Sequence, residues 1–145
     1  MKNSKKQSYC EIWIHLVWAT QYREPMVQQS WKKALYDQFR EISEQNDYGL
    51  DFINGMEDHV HLLINHRPKR AISAIVKDLK GNTWRWARDY LSDKDDYVTW
   101  QDGYSAFSVS PDRIAQVRNY IRYQERHHAH QNLDEEIQKL KQAHS

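Results

Sequence analysis

The run Asp58-His59-Val60-His61-Leu62-Leu63-Ile64-Asn65 constrains this chain more than any other segment. It is short, apolar and free of polar positions at helical spacing, so it reads as a β-strand. Side chains alternate faces along a strand, which puts His59 and His61 on one side. Val60, Leu62 and Ile64 then point the other way, toward a core. Two imidazoles at i and i+2 on one face, their Cα atoms roughly 7 Å apart, can share a divalent metal ion.

A histidine pair of this kind can also sit on a solvated face, hydrogen-bonded to water. The residues beyond the pair exclude three metal or nucleotide chemistries. A metallo-hydrolase pattern H-x-H-x-D-H needs Asp and His where Leu63 and Ile64 stand, and a histidine-triad hydrolase needs a third His at Leu63. A zincin needs its histidines at i and i+4 on a helix.

At 145 residues, with four Gly and three Pro and no linker, the chain reads as one domain over 1–145. Residues 1–8 and 131–145 are expected to be peripheral tails. The basic start Met1–Lys6 precedes no apolar stretch of a signal peptide, and no run is long enough for a membrane span. The single cysteine, Cys10, lies in an apolar strand pattern; it excludes an internal disulfide and points to a reducing, cytoplasmic setting and a buried thiol.

Formal net charge is +1, so nothing global draws the chain to nucleic acid. Its distribution says more: acids gather at 41–51, 89–96 and 134–136, while Arg67, Lys69, Arg70, Lys77, Lys80, Arg85 and Arg88 lie between them with Asp78. Six Trp and nine Tyr could stack on unpaired bases beside those cations, or fill a core or a dimer interface.

Residues 9–19 read as a first strand, and 29–45 as an amphipathic helix carrying Trp31, Leu35, Phe39 and Ile42. Residues 50–56 pair with the histidine strand as a hairpin, 71–91 form a second helix, and 97–100 and 106–110 are short β pieces. Ser110-Pro111-Asp112 starts a third helix running continuously from 112 to about 128. This β-α-β-β-α-β order predicts an α+β class, a ferredoxin-like or RNA-recognition-type antiparallel sheet with a C-terminal helix. Helices cover one face and leave the other, with His59 and His61, free.

On the third helix, Tyr120 and Gln124 fall about 40° apart and His127 close to both. The amide carbonyl of Gln124 suits a hard cation, and the phenol of Tyr120 is a nucleophile. A surface glutamine and an interface tyrosine fit the same positions.

In family order, the chain carries His15-Leu16-Val17-Trp18-Ala19-Thr20, Asn54-Gly55-Met56, His59-Val60-His61, Trp100-Gln101 with Gly103-Tyr104 and Ala106-Phe107-Ser108, and Tyr120-Ile121-Arg122-Tyr123-Gln124. With these it resembles the single-tyrosine HUH transposases of small insertion sequences, the IS200-like group that moves single-stranded DNA. The resemblance implies a transposase that cuts and rejoins DNA through a 5′-phosphotyrosine on Tyr120. It implies Mg²⁺ or Mn²⁺ held by His59, His61 and Gln124. A phenol whose ordinary pKa is near 10 is scarcely ionised at pH 7, so the metal, or a nearby base such as His127, has to help deprotonate it. It also implies a homodimer with shared active sites and hairpins at element ends as substrate. Arg23, Lys77, Lys80, Arg85 and Arg88 become candidates for phosphate contact. Tyr123 lies three residues on, where two-tyrosine enzymes use a spacing of four, so Tyr120 alone is the expected nucleophile. Alternatives on the same fold are a domesticated relative or relaxase-like nickase acting on repeat hairpins, a plain metal-dependent nuclease, and a catalytically silent module binding single strands.

Overall fold

In the computed structural model, which describes residues 8–91 and 95–144, a four-stranded antiparallel sheet has the order β2-β3-β1-β4. The strands are β1 (Trp13–Ala19), β2 (Leu50–Met56), β3 (His59–Asn65) and β4 (Ser105–Val109). Helix α1 (Gln29–Asn46) joins β1 to β2, and α2 (Ile72–Tyr90) comes after β3. Beyond β4 lie α3 (Ile114–Arg122), α4 (Gln124–His128) and α5 (Leu133–Ala143). This is the ferredoxin-like α+β plan, with consecutive β2 and β3 paired as a hairpin. No helix among the described residues is long and apolar enough to cross a membrane.

Alternation along β3 determines what lies on each side of the sheet. Val60, Leu62 and Ile64 join Ile14, Leu16 and Trp18 of β1 in the main core, closed by Leu35 and Phe39 of α1 and Ile75, Val76 and Leu79 of α2. Directly paired residues share a face, so Val17 opposite His61, Ala19 opposite His59 and His15 opposite Leu63 belong to the histidine side.

That second side is covered, contrary to the free face expected from the sequence. Trp13, Leu63 and Val109 pack with Ile121 of α3, while Val17, Ala19 and Phe107 pack with Leu133 of α5. The cause is legible in β1, whose seven residues are all buried: a strand apolar on both faces needs cover on both. The segment expected as a charged tail therefore carries a docked helix. Its start is fixed by a capping box, Asn132 accepting from the Glu135 amide and the Glu135 carboxylate accepting from the Asn132 amide.

The single helix expected over 112–128 is interrupted. Pro111–Arg113 form a 3-10 turn, α3 ends at Arg122, and Tyr123 leaves helical geometry at φ −102°, ψ 37°. The Asn54 side chain of β2 explains the break. It donates to the carbonyls of Ile121 and Arg122, at 3.0 Å each, which a continuing helix would use for itself. The stretch expected as strand at 97–100 contributes an isolated bridge, Trp100 to Thr20. Cys10, expected buried, is exposed.

Gly55 lets the hairpin close beside the histidines. A Cβ there would come within 2.2 Å of the His59 carbonyl oxygen, so only glycine permits this approach.

Candidate active site

Strand β3 presents both imidazoles inward, and neither ring has solvent exposure. His59 Nδ1–H donates to Asp58 Oδ1 at 2.7 Å, which turns Nε2 toward the covering helices. Nε2 lies 3.2 Å from Oε1 of Gln124, the first residue of α4. Burial disfavours charge on His59, but hydrogen bonds to Asp58 and Glu136 outweigh it and raise its pKa to about 9.

His61 is bracketed. Its Nδ1 lies 2.8 Å from His15 Nε2 on the neighbouring strand, and its Nε2 lies 3.2 Å from Glu136 Oε1. Burial pushes both His15 and His61 below the ordinary imidazole value, so both are neutral at pH 7. In that state the Nε2–H of His15 donates to His61 Nδ1, and the Nε2–H of His61 donates to the carboxylate.

Glu136, fully buried on α5, is the centre of the site. Its Oε1 also accepts from His128 Nε2 at 2.7 Å, and its Oε2 accepts from Gln124 Nε2 at 3.1 Å and from the Tyr120 hydroxyl. Burial would raise its pKa, yet the donors from His59, His61 and Tyr120 hold the carboxyl far below the usual range. The same burial and the same carboxylate push the Tyr120 phenol well above its ordinary value. His127 stacks on the Tyr120 ring with centroids 4.3 Å apart, and its buried Nε2 has no partner. Tyr120 also lines a cleft between α3 and α5 with His15, Ser108, Gln116 and Leu140.

The structure thus brings together His59, His61, Tyr120 and Gln124, the residues singled out from the sequence. It adds Glu136, His128 and the His15 bond, which sequence reasoning missed. A signal for Glu136 was present: Leu133, Ile137 and Leu140 recur at i, i+4 and i+7, and Glu136 falls inside that apolar stripe. Tyr123, by contrast, is exposed and packs under Arg126.

The candidate phosphate contacts separate into two groups. Arg23 lies on the histidine side, paired with Asp134 of α5 at 2.5 Å and lining a cleft with Tyr104, Leu133 and Ile137. Lys77, Lys80, Arg85 and Arg88 belong to α2, across the sheet from the histidines. Lys80 is committed to the carbonyls of Gln101 and Gly103 at 2.8 and 2.7 Å, Arg85 to Asn82 and Arg88 to Asp89. Lys77 is exposed.

The donor set fits a divalent cation. Ligand atoms from His59, His61, His128 and Glu136 lie within 4.8 Å of one another, and the Gln124 carbonyl oxygen lies beside His59 Nε2. Imidazole, carboxylate and amide oxygen together suit Mg²⁺, Mn²⁺ or Zn²⁺.

Comparison with known proteins gives the family of the chain. The family described as "Transposase IS200 like" matches residues 8–124, which include both histidines, Tyr120 and Gln124. The chain is 33% identical over 128 residues to the ISDra2 transposase TnpA of Deinococcus radiodurans, covering 86% of this chain and 91% of that one. It is also similar to the crystal structure of a protein assigned as a transposase from Deinococcus radiodurans R1. That likeness has a TM-score of 0.61 and 32% identity, and covers 86% of this chain and 98% of the other.

Proposed function

Because the chain belongs to the IS200-like transposase family, we propose that it cuts and rejoins single-stranded DNA with Tyr120 as nucleophile and Mg²⁺ or Mn²⁺ held by His59, His61 and Gln124. The observation that carries this reading is convergence. A tyrosine hydroxyl, an amide and two strand imidazoles all reach one buried carboxylate, although β3 and α3–α5 are far apart in the chain.

The Tyr120 oxygen attacks the scissile phosphorus, a P–O bond to it forms, and the bond from phosphorus to O3′ breaks. The products are a 5′-phosphotyrosine and a free 3′-OH; attack by a 3′-OH on that linkage restores Tyr120 and a phosphodiester. Bond energy is conserved at each exchange, so no nucleotide cofactor is consumed. When bound, the divalent ion supplies Lewis-acid polarisation of the phosphate oxygens. The chain's own groups do the rest. Asp58 fixes the His59 ring, and Glu136 Oε2 holds the Tyr120 hydroxyl until substrate enters. His127 holds the phenol ring by stacking.

The substrate proposed is a hairpin at an element end, and the working form a homodimer in which the tyrosine segment of each subunit takes, in its partner, the place it holds within one chain here; both come from the family resemblance. Of the five candidate cations, Arg23 is the one on the histidine side of the sheet; Lys77, Arg85 and Arg88 would meet a strand passing over α2.

The test is a single-stranded hairpin oligonucleotide labelled 3′ of the cut and incubated with Mn²⁺. A label that stays on the protein through SDS, and is absent with chelator, supports the reading. Hairpin binding without adduct under any divalent ion would favour the silent binding module, and cleavage without adduct a plain nuclease.

A further inference from the structure

We propose that Glu136 of α5 and His128 of α4 are themselves ligands to the metal at His59 and His61, forming a three-histidine, one-carboxylate site that is closed to substrate. This rests on the metal assigned to His59 and His61 above, and goes beyond it in ligand set and consequence.

The three separations from Glu136 suit a four-coordinate ion. A metal about 2.0–2.1 Å from each nitrogen and oxygen in a tetrahedron sets its ligand atoms roughly 3.4 Å apart. Glu136 Oε1 lies 2.7 Å from His128 Nε2, 3.2 Å from His61 Nε2 and 3.6 Å from His59 Nε2. These separations bracket that value, and all four ligand atoms fall within 4.8 Å. Three imidazoles and a carboxylate are borderline donors, suited to Zn²⁺, Co²⁺ or Mn²⁺. Second-sphere support is in place: Asp58 on His59, His15 on His61, and Gln124 with Tyr120 on the free oxygen of Glu136.

A site with four protein ligands keeps no open position, whereas a catalytic metal needs one for the reacting phosphate. Glu136 therefore occupies the place of the phosphate, and α5 acts as a latch carrying a surrogate anion. Besides Glu136, α5 is held by the Arg23–Asp134 ion pair, the His144 contact to the Ser108 carbonyl, and the apolar packing of Leu133, Ile137 and Leu140. DNA entering the site displaces Glu136 and leaves His59, His61 and Gln124 on the metal.

Co²⁺ alone, added to the full chain, tests this through visible absorption and titration calorimetry. The wild type should bind one Co²⁺ per chain with the intense bands of tetrahedral coordination. Glu136→Gln, which keeps side-chain shape, and His128→Asn, which alters a different helix, should each lose those bands and weaken binding at least tenfold. Wild-type bands and affinity retained in both variants, but lost in His59→Ala/His61→Ala, would overturn the closed set and leave the two-histidine metal standing. A wild type that binds no Co²⁺, or binds it without regard to His59 and His61, would overturn both. If circular dichroism shows either single variant unfolded, the other decides.

Discussion

The Tyr120 hydroxyl donates its hydrogen bond to Oε2 of Glu136, a fully buried carboxylate on the next long helix of the chain. The contact ties the proposed nucleophile to the group that also gathers His61, His128 and Gln124. Glu136 is thus a structural hub before it is anything else.

Removing that hub should destabilise the metal-free protein. Glu136→Ala strands several buried donors at once, and breaking a buried ionic network by deleting one partner costs about 3–5 kcal/mol. Urea denaturation in chelator measures it. A loss below about 1 kcal/mol would mean the network is not formed in solution.

Metal affinity should rise with pH. His59 is raised to about 9 by Asp58 and Glu136 despite its burial, so the metal-free protein holds His59 protonated at pH 7. A metal on Nε2 expels that proton, and affinity climbs about tenfold per pH unit until it levels off near the folded pKa of about 9. The same shift stabilises the metal-free fold fully below the unfolded value of about 6.5, and that stabilisation is lost as pH rises through about 9. Calorimetry from pH 6.5 to 9.5 reads the first effect and thermal melts the second. A flat affinity profile would contradict the His59 assignment.

Two lysines of α2 should behave differently. Lys80 holds the carbonyls of Gln101 and Gly103, so Lys80→Ala should cost about 1–2 kcal/mol of stability. Lys77 is exposed, so Lys77→Ala should leave stability within about 0.5 kcal/mol. If Lys77 contacts a phosphate, the slope of log affinity against log salt should also fall by about one. An unchanged slope removes Lys77 from the DNA path.

Asn54 sets the break between α3 and α4 by capping the carbonyls of Ile121 and Arg122. Asn54→Ala should free those carbonyls, let the helix run on through Tyr123, and move Gln124 away from His59. We expect at least tenfold weaker Mn²⁺ binding with overall helicity kept, measured by calorimetry and circular dichroism. Undiminished binding would show that Gln124 needs no such placement.

The range of the forces involved decides how much of this was legible in the chain. Period-two alternation in β3 and helical spacing in α1 and α2 are local, and the expected elements there match the observed ones closely. The interruption at Tyr123 depends on Asn54, which lies far back in the chain, so no local pattern carries it. The covered histidine face was readable from Trp13, Val17, Leu63 and Phe107 taken together, but only once their strands are placed side by side. Glu136 was hidden because an acid in a short charged segment reads as solvated; its meaning comes from the apolar neighbours at 133, 137 and 140. His59 and His61 stood out as a pair on one strand face, and the resemblance to the IS200-like transposases singled out Tyr120 and Gln124, whereas Glu136 and His128 acquire their meaning only through folding.

The central claim is that Tyr120 becomes covalently joined to the 5′ side of a DNA break. Its most direct measurement is proteolysis and mass spectrometry of the protein after incubation with a single-stranded hairpin and Mn²⁺. The account predicts a nucleotide adduct on the peptide containing Tyr120, retained in Tyr123→Phe and absent in Tyr120→Phe. An adduct on Tyr123 that persists in Tyr120→Phe would contradict it, as would strand cleavage that leaves every tyrosine unmodified.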